Sequence, residues 1–313
     1  MLILKQLYYE KKMSDAGLKA LLQLEKTMVV SHLAKRSVVA YSREVRFMIE
    51  YYPDMDPMGW TEDLVIDYIH HLITEKQASR SKCHMAAQSM AYFFRHVMGK
   101  PFQTPGKIYP KRDFKLPAVL TREEVQRLLK ACNSVKEKAI LELLYSTGMR
   151  LGEVQHLKMI HIEANQNRIK VVYGKGARDR YTLLSKRCLE TLRQYYLKTP
   201  IKPKVYLFEG QEPGKPMHAR SIQHAMVMVY QRAGLQDKPK KVHALRHTFA
   251  THLLDSGIDI HTIKELLGHS KIETTMVYLH LQSRKRNALV SPLDVIDTPD
   301  NQLAMLPKAY PML

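Results

Sequence analysis

Four prolines, Pro101, Pro105, Pro110 and Pro117, fall between Lys100 and Pro117, with Gly99 and Gly106 beside them. Each proline removes a backbone donor and fixes φ, so neither a helix nor a central strand runs through this stretch. The chain is therefore expected to fold as two bodies: a first domain over residues 1–99, a linker over 100–117, and a second domain over 118–290 followed by a tail over 291–313. The linker carries Lys111, Arg112 and Lys115. That cluster suits a strap laid along a polyanion, and it equally suits a solvated connector.

Both bodies read as mainly helical. Val38, Tyr41, Val45, Met48, Ile49 and Tyr52 recur at helical spacing, as do Leu64, Tyr68, Ile69, Leu72 and Ile73 behind a capping Thr61. A third run, Met85, Ser89, Met90, Phe93 and Val97, ends at Gly99. Beyond the linker, Thr121 to Glu124 spells a capping box. Helices are expected to about Asn133, over 136–147, near 186–198, 218–233, 243–255 and 260–267, with glycine stops at Gly148 and Gly268. Between them the period changes to two. Ile160 and Ile162, then Ile169, Val171 and Tyr173, then Tyr181 and Leu183 read as a small antiparallel sheet with turns at Asn165–Asn167 and Gly174–Gly176. The fold class is mostly α with a small antiparallel β-sheet in the second domain, a two-domain clamp.

Four islands in the second domain carry chemistry: TGMRLGEV around Arg150, YGKGARDR around Lys175, HALRH from His243 to His247, and GHSKIETTMVY from Gly268 to Tyr278. A phosphodiester under attack spreads charge over its non-bridging oxygens, and planar guanidinium forks such as Arg150 and Arg246 suit that charge. Tyr278 is the candidate nucleophile, because a phosphotyrosyl ester can be re-attacked by a DNA hydroxyl. Its phenol, with an ordinary pKa of ~10, is about one part in a thousand ionised at pH 7, a handicap of roughly 4 kcal/mol. His243, one helical turn before Arg246, can share its phosphate. His269, just past a helix end, can donate to another oxygen. Lys175, between two glycines at a hairpin tip, can protonate the departing 5′-oxygen.

Taken singly, these residues have plainer readings. Arg150 and Glu153 form an i,i+3 surface ion pair, Gly-Lys-Gly is a turn, His247 packs within its helix, and Tyr278 is a core aromatic. The spacing of His243, His247 and His252 would also admit a zinc ion, although HExxH and CxxC are absent and Arg246 lies between. The ordered conjunction of the four islands is what favours phosphodiester chemistry.

That conjunction resembles the catalytic boxes of the tyrosine recombinases, the integrase and Xer-type family. The matches are TGMRLGE, the GKG hairpin, HxLRHTFATHLL from His243 to Leu254, and LLGH with Tyr278 nine residues after His269. The resemblance is close over about residues 117–293 and looser over 16–98. It implies that Arg150 and Arg246 bind the phosphate, Lys175 serves the leaving oxygen, His243 and His269 do acid/base and hydrogen-bond work, Tyr278 attacks, and Glu153 supports the pocket. It also implies a SAM-like core-binding domain at the N-terminus, duplex DNA sites as partner, a dimer on each site and a tetramer in synapsis passing through a Holliday junction. No cofactor, metal or ATP is implied. TTMVYLH followed by SPLD, Ser291 to Asp294, is similar to integron integrases, yet the stretch from Ser185 to His243 is too short for the extra helical insertion those carry. Transposon, phage and Xer-like roles stay open. For the apolar tail the resemblance implies docking on a neighbouring protomer; folding back on its own domain, or disorder after about Thr298, is the alternative. A type IB topoisomerase and a non-catalytic DNA-binding architectural protein are the competing functional readings.

Charge bears on the partner. Across 313 residues, Lys+Arg 49 outweigh Asp+Glu 30, for a formal +19. The excess falls on both sides of the linker, 18 basic against 12 acidic residues up to Pro117 and 31 against 18 beyond it. This points to a polyanion without saying which one. Cys83, Cys132 and Cys188 have neither metal nor redox spacing, and there is no apolar run of membrane-spanning length and no signal-peptide core at the N-terminus. A cytoplasmic protein outside the membrane is the expectation.

Overall fold

The computed structural model describes residues 13–102, 116–172, 179–238 and 242–281. The chain divides into two compact units, Met1–Phe114 and Lys115–Leu313. The basic residues Lys111, Arg112 and Lys115, the hairpin tip with Lys175, and the tail lie outside the described residues.

Among the described residues of the first unit the α-helices are α1 (Asp15–Val30), α2 (Lys35–Tyr51), α3 (Glu62–Thr74) and α4 (Arg80–Phe93). Ser14, Thr61 and Ser79 cap α1, α3 and α4, each hydroxyl accepting a backbone N–H of the first turn and each worth ~1 kcal/mol. The apolar stripes read from the sequence meet in one core, in which Leu24, Met28, Val45, Met48, Val65, Met90 and Phe93 are wholly buried. Small residues Ala86 and Ala87 line the inner side of α4, which lets the longer side chains of its neighbours fill the space between helices. The last turn, Phe94–Met98, loosens to π geometry before Gly99 closes it at φ 66°.

The second unit starts with the anticipated capping box: Glu124 N–H donates to Thr121 Oγ1 and Thr121 N–H to Glu124 Oε2. Helix α5 (Arg122–Lys130) leads to α6 (Val135–Thr147). Ala139, Ile140, Leu141, Leu143 and Leu144 are all buried on α6, the pattern of a helix enclosed on every side. It is the axis of the unit, against which α8 (Lys186–Lys198), α9 (Ala219–Arg232) and α10 (Val242–Asp255) pack. Gly148 ends α6 at φ 60° and leads into the short α7 (Leu151–Gln155).

The sheet has three antiparallel strands in order β1 (Ile162–Glu163), β2 (Arg168–Val171) and β3 (Arg180–Leu183). Ile169 pairs with Thr182 and Lys170 with Tyr181. Two expectations need correcting. Ile160 sits in a 3-10 turn, Met159–His161, and is 83% exposed, so β1 is only two residues long. On β3 the alternation runs in the opposite phase: Thr182 is buried while Tyr181 and Leu183 face outward. Thr182 goes inward because its hydroxyl donates to the Thr147 carbonyl at 2.7 Å. Tyr181 is held outside by the Arg168 guanidinium, 3.8 Å from its ring centre, a cation–π contact.

The remaining elements are α11 (Ile260–Leu267), α12 (Glu273–Met276) and a 3-10 turn over Val277–Leu281. They close over α10 through a small separate core of Phe249, Ala250, Leu254, Ile263, Leu267 and Tyr278. No described helix is long and apolar enough to cross a membrane.

Candidate active site

Helix α11 stops at Gly268, in the left-handed region at φ 64°. The last carbonyls of a helix lack intrahelical partners and carry the negative end of its dipole. Here three in a row are taken by three arginines from three other elements. Arg180 Nε donates to Leu266 O at 2.9 Å, Arg246 Nη2 to Leu267 O at 2.6 Å, and Arg150 Nη2 to Gly268 O at 3.3 Å. The glycine permits the close approach, since a Cβ on residue 268 would lie 2.7 Å from Arg180 Cδ.

Arg246, on α10, is buried and also donates through Nη1 to Gly148 O at 2.7 Å. Its guanidinium is thus fixed between the end of α6 and the end of α11. Burial, then the charge of Arg150, lowers its pKa to about 10, which leaves it cationic at neutral pH. Arg150 caps α7. Its backbone N–H reaches Glu153 Oε2 at 2.7 Å and its Nη1 reaches Oε1 at 2.9 Å. Arg180 Nη1 and Nη2 grip the same carboxylate at 2.9 and 2.7 Å. Burial pushes the Glu153 carboxyl up, but Arg180 and then Arg150 bring it down to about 2. Of these two arginines Arg150 is the more open, with 23% of its side chain exposed against 10% for Arg180. Arg150 is therefore the more solvent-facing of the two, while Arg180 is enclosed on Glu153.

His269 follows Gly268, and its Nδ1 lies 2.9 Å from the hydroxyl of Thr275, a buried residue of α12. Burial, followed by Arg246, Arg150 and Arg180, lowers its pKa to about 3. Tyr278 lies in the 3-10 turn and is 2% exposed. Burial raises its pKa, while Arg246 and Arg150 pull the other way, so both guanidinium groups act on the phenol. The Tyr278 hydroxyl is 3.0 Å from His247 Nδ1. His243 is exposed on the first turn of α10, its ring centre 6.4 Å from that of His247. His252 turns to the opposite side and bonds Tyr145 OH at 2.9 Å.

The structure thus brings Arg150, Glu153, Arg246, His269 and Tyr278 together, with His243 at the margin. Lys175 lies outside the described residues. Two residues of the cluster were given no catalytic role by the sequence reading. Arg180 stood in the YGKGARDR island as an unassigned arginine; its one sequence signal is that it is a strand's first residue, followed by alternating positions. His247 read as a packing residue, and nothing in its spacing points to a tyrosine 31 residues later.

Guanidinium groups fixed beside a phenol and a neutral imidazole suit a reaction at a phosphodiester without displacing any of those groups. Comparison with known proteins gives the class its name. Residues 118–285 match the model of the phage integrase family, and residues 21–104 match a phage integrase N-terminal SAM-like domain. The chain belongs to the phage integrase family and is a tyrosine recombinase, an enzyme of site-specific DNA strand cleavage and exchange. It is 32% identical over 279 residues to the integrase/recombinase y4qK of Sinorhizobium fredii, covering 88% of this chain and 89% of that one. It is also similar to y4eF of the same organism, 35% identical over 234 residues, 74% of this chain and 92% of that one. Among solved structures, the XerH site-specific recombinase bound to its palindromic difH substrate matches with a TM-score of 0.69 over 89% of each chain at 18% identity, a likeness of fold.

Proposed function

We propose that this recombinase cuts duplex DNA by attack of Tyr278 on a phosphodiester, with Arg150 and Arg246 bound to the non-bridging oxygens. The observation that carries this reading is that both guanidinium groups are fixed on adjacent carbonyls, Gly268 and Leu267, with the phenol in the field of both. Donors already locked in place need no reorganisation as charge develops on phosphorus. His269, oriented by Thr275, is the further donor to a phosphate oxygen through its other ring nitrogen. His243, exposed one turn before Arg246, meets the DNA from the rim. Lys175 delivers a proton to the 5′-oxygen. The product is a 3′-phosphotyrosyl ester that keeps the energy of the cleaved bond for rejoining to a second 5′-hydroxyl.

The first unit serves as the core-binding domain, and Lys111, Arg112 and Lys115 of the 100–117 linker add contacts to DNA phosphates, as the +19 charge supports. Two protomers occupy each site and four assemble in synapsis to exchange strands through a Holliday junction, in the cytoplasm where the DNA lies. Tyr278→Phe tests the core of this reading: it should bind site DNA with near wild-type affinity and form no covalent adduct on a nicked suicide substrate. Adduct formed by the phenylalanine protein would move the nucleophile to another residue.

A further inference from the structure

Burial holds the Tyr278 phenol in its protonated form, so its attack on phosphorus requires a proton acceptor at the hydroxyl. Among the described residues the side-chain nitrogen at hydrogen-bond distance from that oxygen is Nδ1 of His247, at 3.0 Å, with the two ring centres 5.7 Å apart. Neither His243 nor His269 occupies this position. His243 is exposed at the start of the helix, and His269 spends its Nδ1 on Thr275. We propose that His247 is the proton acceptor for Tyr278 in cleavage and the proton donor to it in rejoining. This rests on the reading of Tyr278 as nucleophile.

The step balances without any further reactant. As the Tyr278 Oη–P bond forms, the phenolic O–H bond breaks and its proton passes to His247 Nδ1, giving an imidazolium; the P–O5′ bond breaks and O5′ takes its proton from Lys175. In the reverse sense a 5′-hydroxyl attacks the phosphotyrosyl ester and gives its proton to the Lys175 amine that cleavage left neutral, and the imidazolium returns its proton to Oη as the P–Oη bond breaks. The assignment fixes the neutral tautomer with hydrogen on Nε2 and an open lone pair on Nδ1.

The surroundings keep the imidazole neutral, the form that can accept a proton. Burial, then His243 and Arg246 on its own helix, lowers the His247 pKa to about 4, and among the described residues His269 and Tyr278 are the titratable groups facing it from the segments packed on that helix. A bound phosphodiester adds negative charge beside Arg246 and Arg150, offsets their field, and raises the proton affinity of the imidazole at the moment the nucleophile must lose its proton. Nucleophile activation is in this way tied to occupancy of the phosphate site.

The test compares His247→Leu and His247→Asn with wild type and Tyr278→Phe, measuring adduct formation on a suicide substrate from pH 6 to 10 beside DNA binding and thermal unfolding. Asparagine keeps an acceptor near the place of Nδ1 but takes no proton. Both variants should bind DNA normally and cleave ~10²-fold or more slowly at pH 7, the usual weight of a general base. The deficit should shrink about tenfold per pH unit as hydroxide takes over ionisation of the phenol, while wild type stays flat. Recovery of the rate by asparagine at pH 7, or a deficit that does not change with pH, would reduce His247 to a spacer and overturn the proposal. Should leucine unfold the protein, the asparagine profile decides alone. Adduct from Tyr278→Phe would instead show that the nucleophile itself was misassigned, a separate failure.

Discussion

Arg180 closes both of its terminal nitrogens on the carboxylate of Glu153, at 2.9 and 2.7 Å, while Arg150 donates to the same two oxygens through its backbone N–H and Nη1. One buried anion thus keeps two cations apart and in register. Removing one member of such a set strands the others in a poorly solvated place, which is costlier than losing the set.

That asymmetry gives a measurable cycle. Glu153→Gln and Arg180→Met should each lower the unfolding free energy by about 3 kcal/mol, the scale for breaking a buried pair, and the double variant should lose less than the sum. A coupling below about 0.5 kcal/mol in denaturant titrations would show the two side chains to be energetically independent.

Gly268→Ala should be harmful out of proportion to its one added carbon. The residue has φ 64° and its Cβ would meet Arg180 Cδ at 2.7 Å, so backbone strain of about 1 kcal/mol adds to displacement of the arginine. Thermal denaturation should register the strain. Cleavage of a suicide substrate should fall further than DNA affinity, because the carbonyl that anchors Arg150 belongs to this residue.

Acid should loosen the site in a definable window. His247 and His269 are held near 4 and 3 in the fold, against an ordinary 6.5, so below 6.5 the unfolded chain binds protons that the folded chain refuses. The stability from keeping them neutral is complete above pH 6.5 and is lost as pH falls toward those lower values. The melting temperature should therefore decline from pH 6.5 to 5, above the range of ordinary carboxylates, and His269→Gln should remove part of that slope. An unchanged slope in the variant would mean that His269 titrates normally.

Lys175→Ala should cleave slowly, and a substrate with sulfur in place of the 5′-bridging oxygen should restore its rate, since a thiolate departs without a proton. The same substrate should leave Arg150→Ala and Arg246→Ala impaired by ~10²-fold, the scale for loss of one preorganised donor. Equal rescue of all three would argue against Lys175 as the proton donor.

Much of this site could be read from the chain because the chemistry limits the choice of residue. Glycine at 148 and 268 marks helix stops whatever surrounds them, and the limits of α8 and α11 agree with the expected 186–198 and 260–267 because Ser185 and Asp259 cap them. What escaped depends on facing. A period of two says that Tyr181 and Thr182 point to opposite faces without saying which face is inside; the Thr147 carbonyl and the Arg168 guanidinium decide it. His247 and Arg180 escaped for the same reason. Their partners, Tyr278 and Glu153, are 31 and 27 residues away along the chain, and only the closing of α10, α11 and the sheet brings them within reach.

The three consecutive carbonyls at the end of α11 have a mechanical meaning. Every anchor they give to an arginine lies at or before residue 268, whereas the phenol sits ten residues further on, reached through the His269–Thr275 bond and the 3-10 turn. The arginine anchors and the phenol therefore belong to one segment, before and after Gly268. A change of backbone after that glycine would move the phenol while leaving the three carbonyl anchors, and the guanidinium groups set on them, where they are.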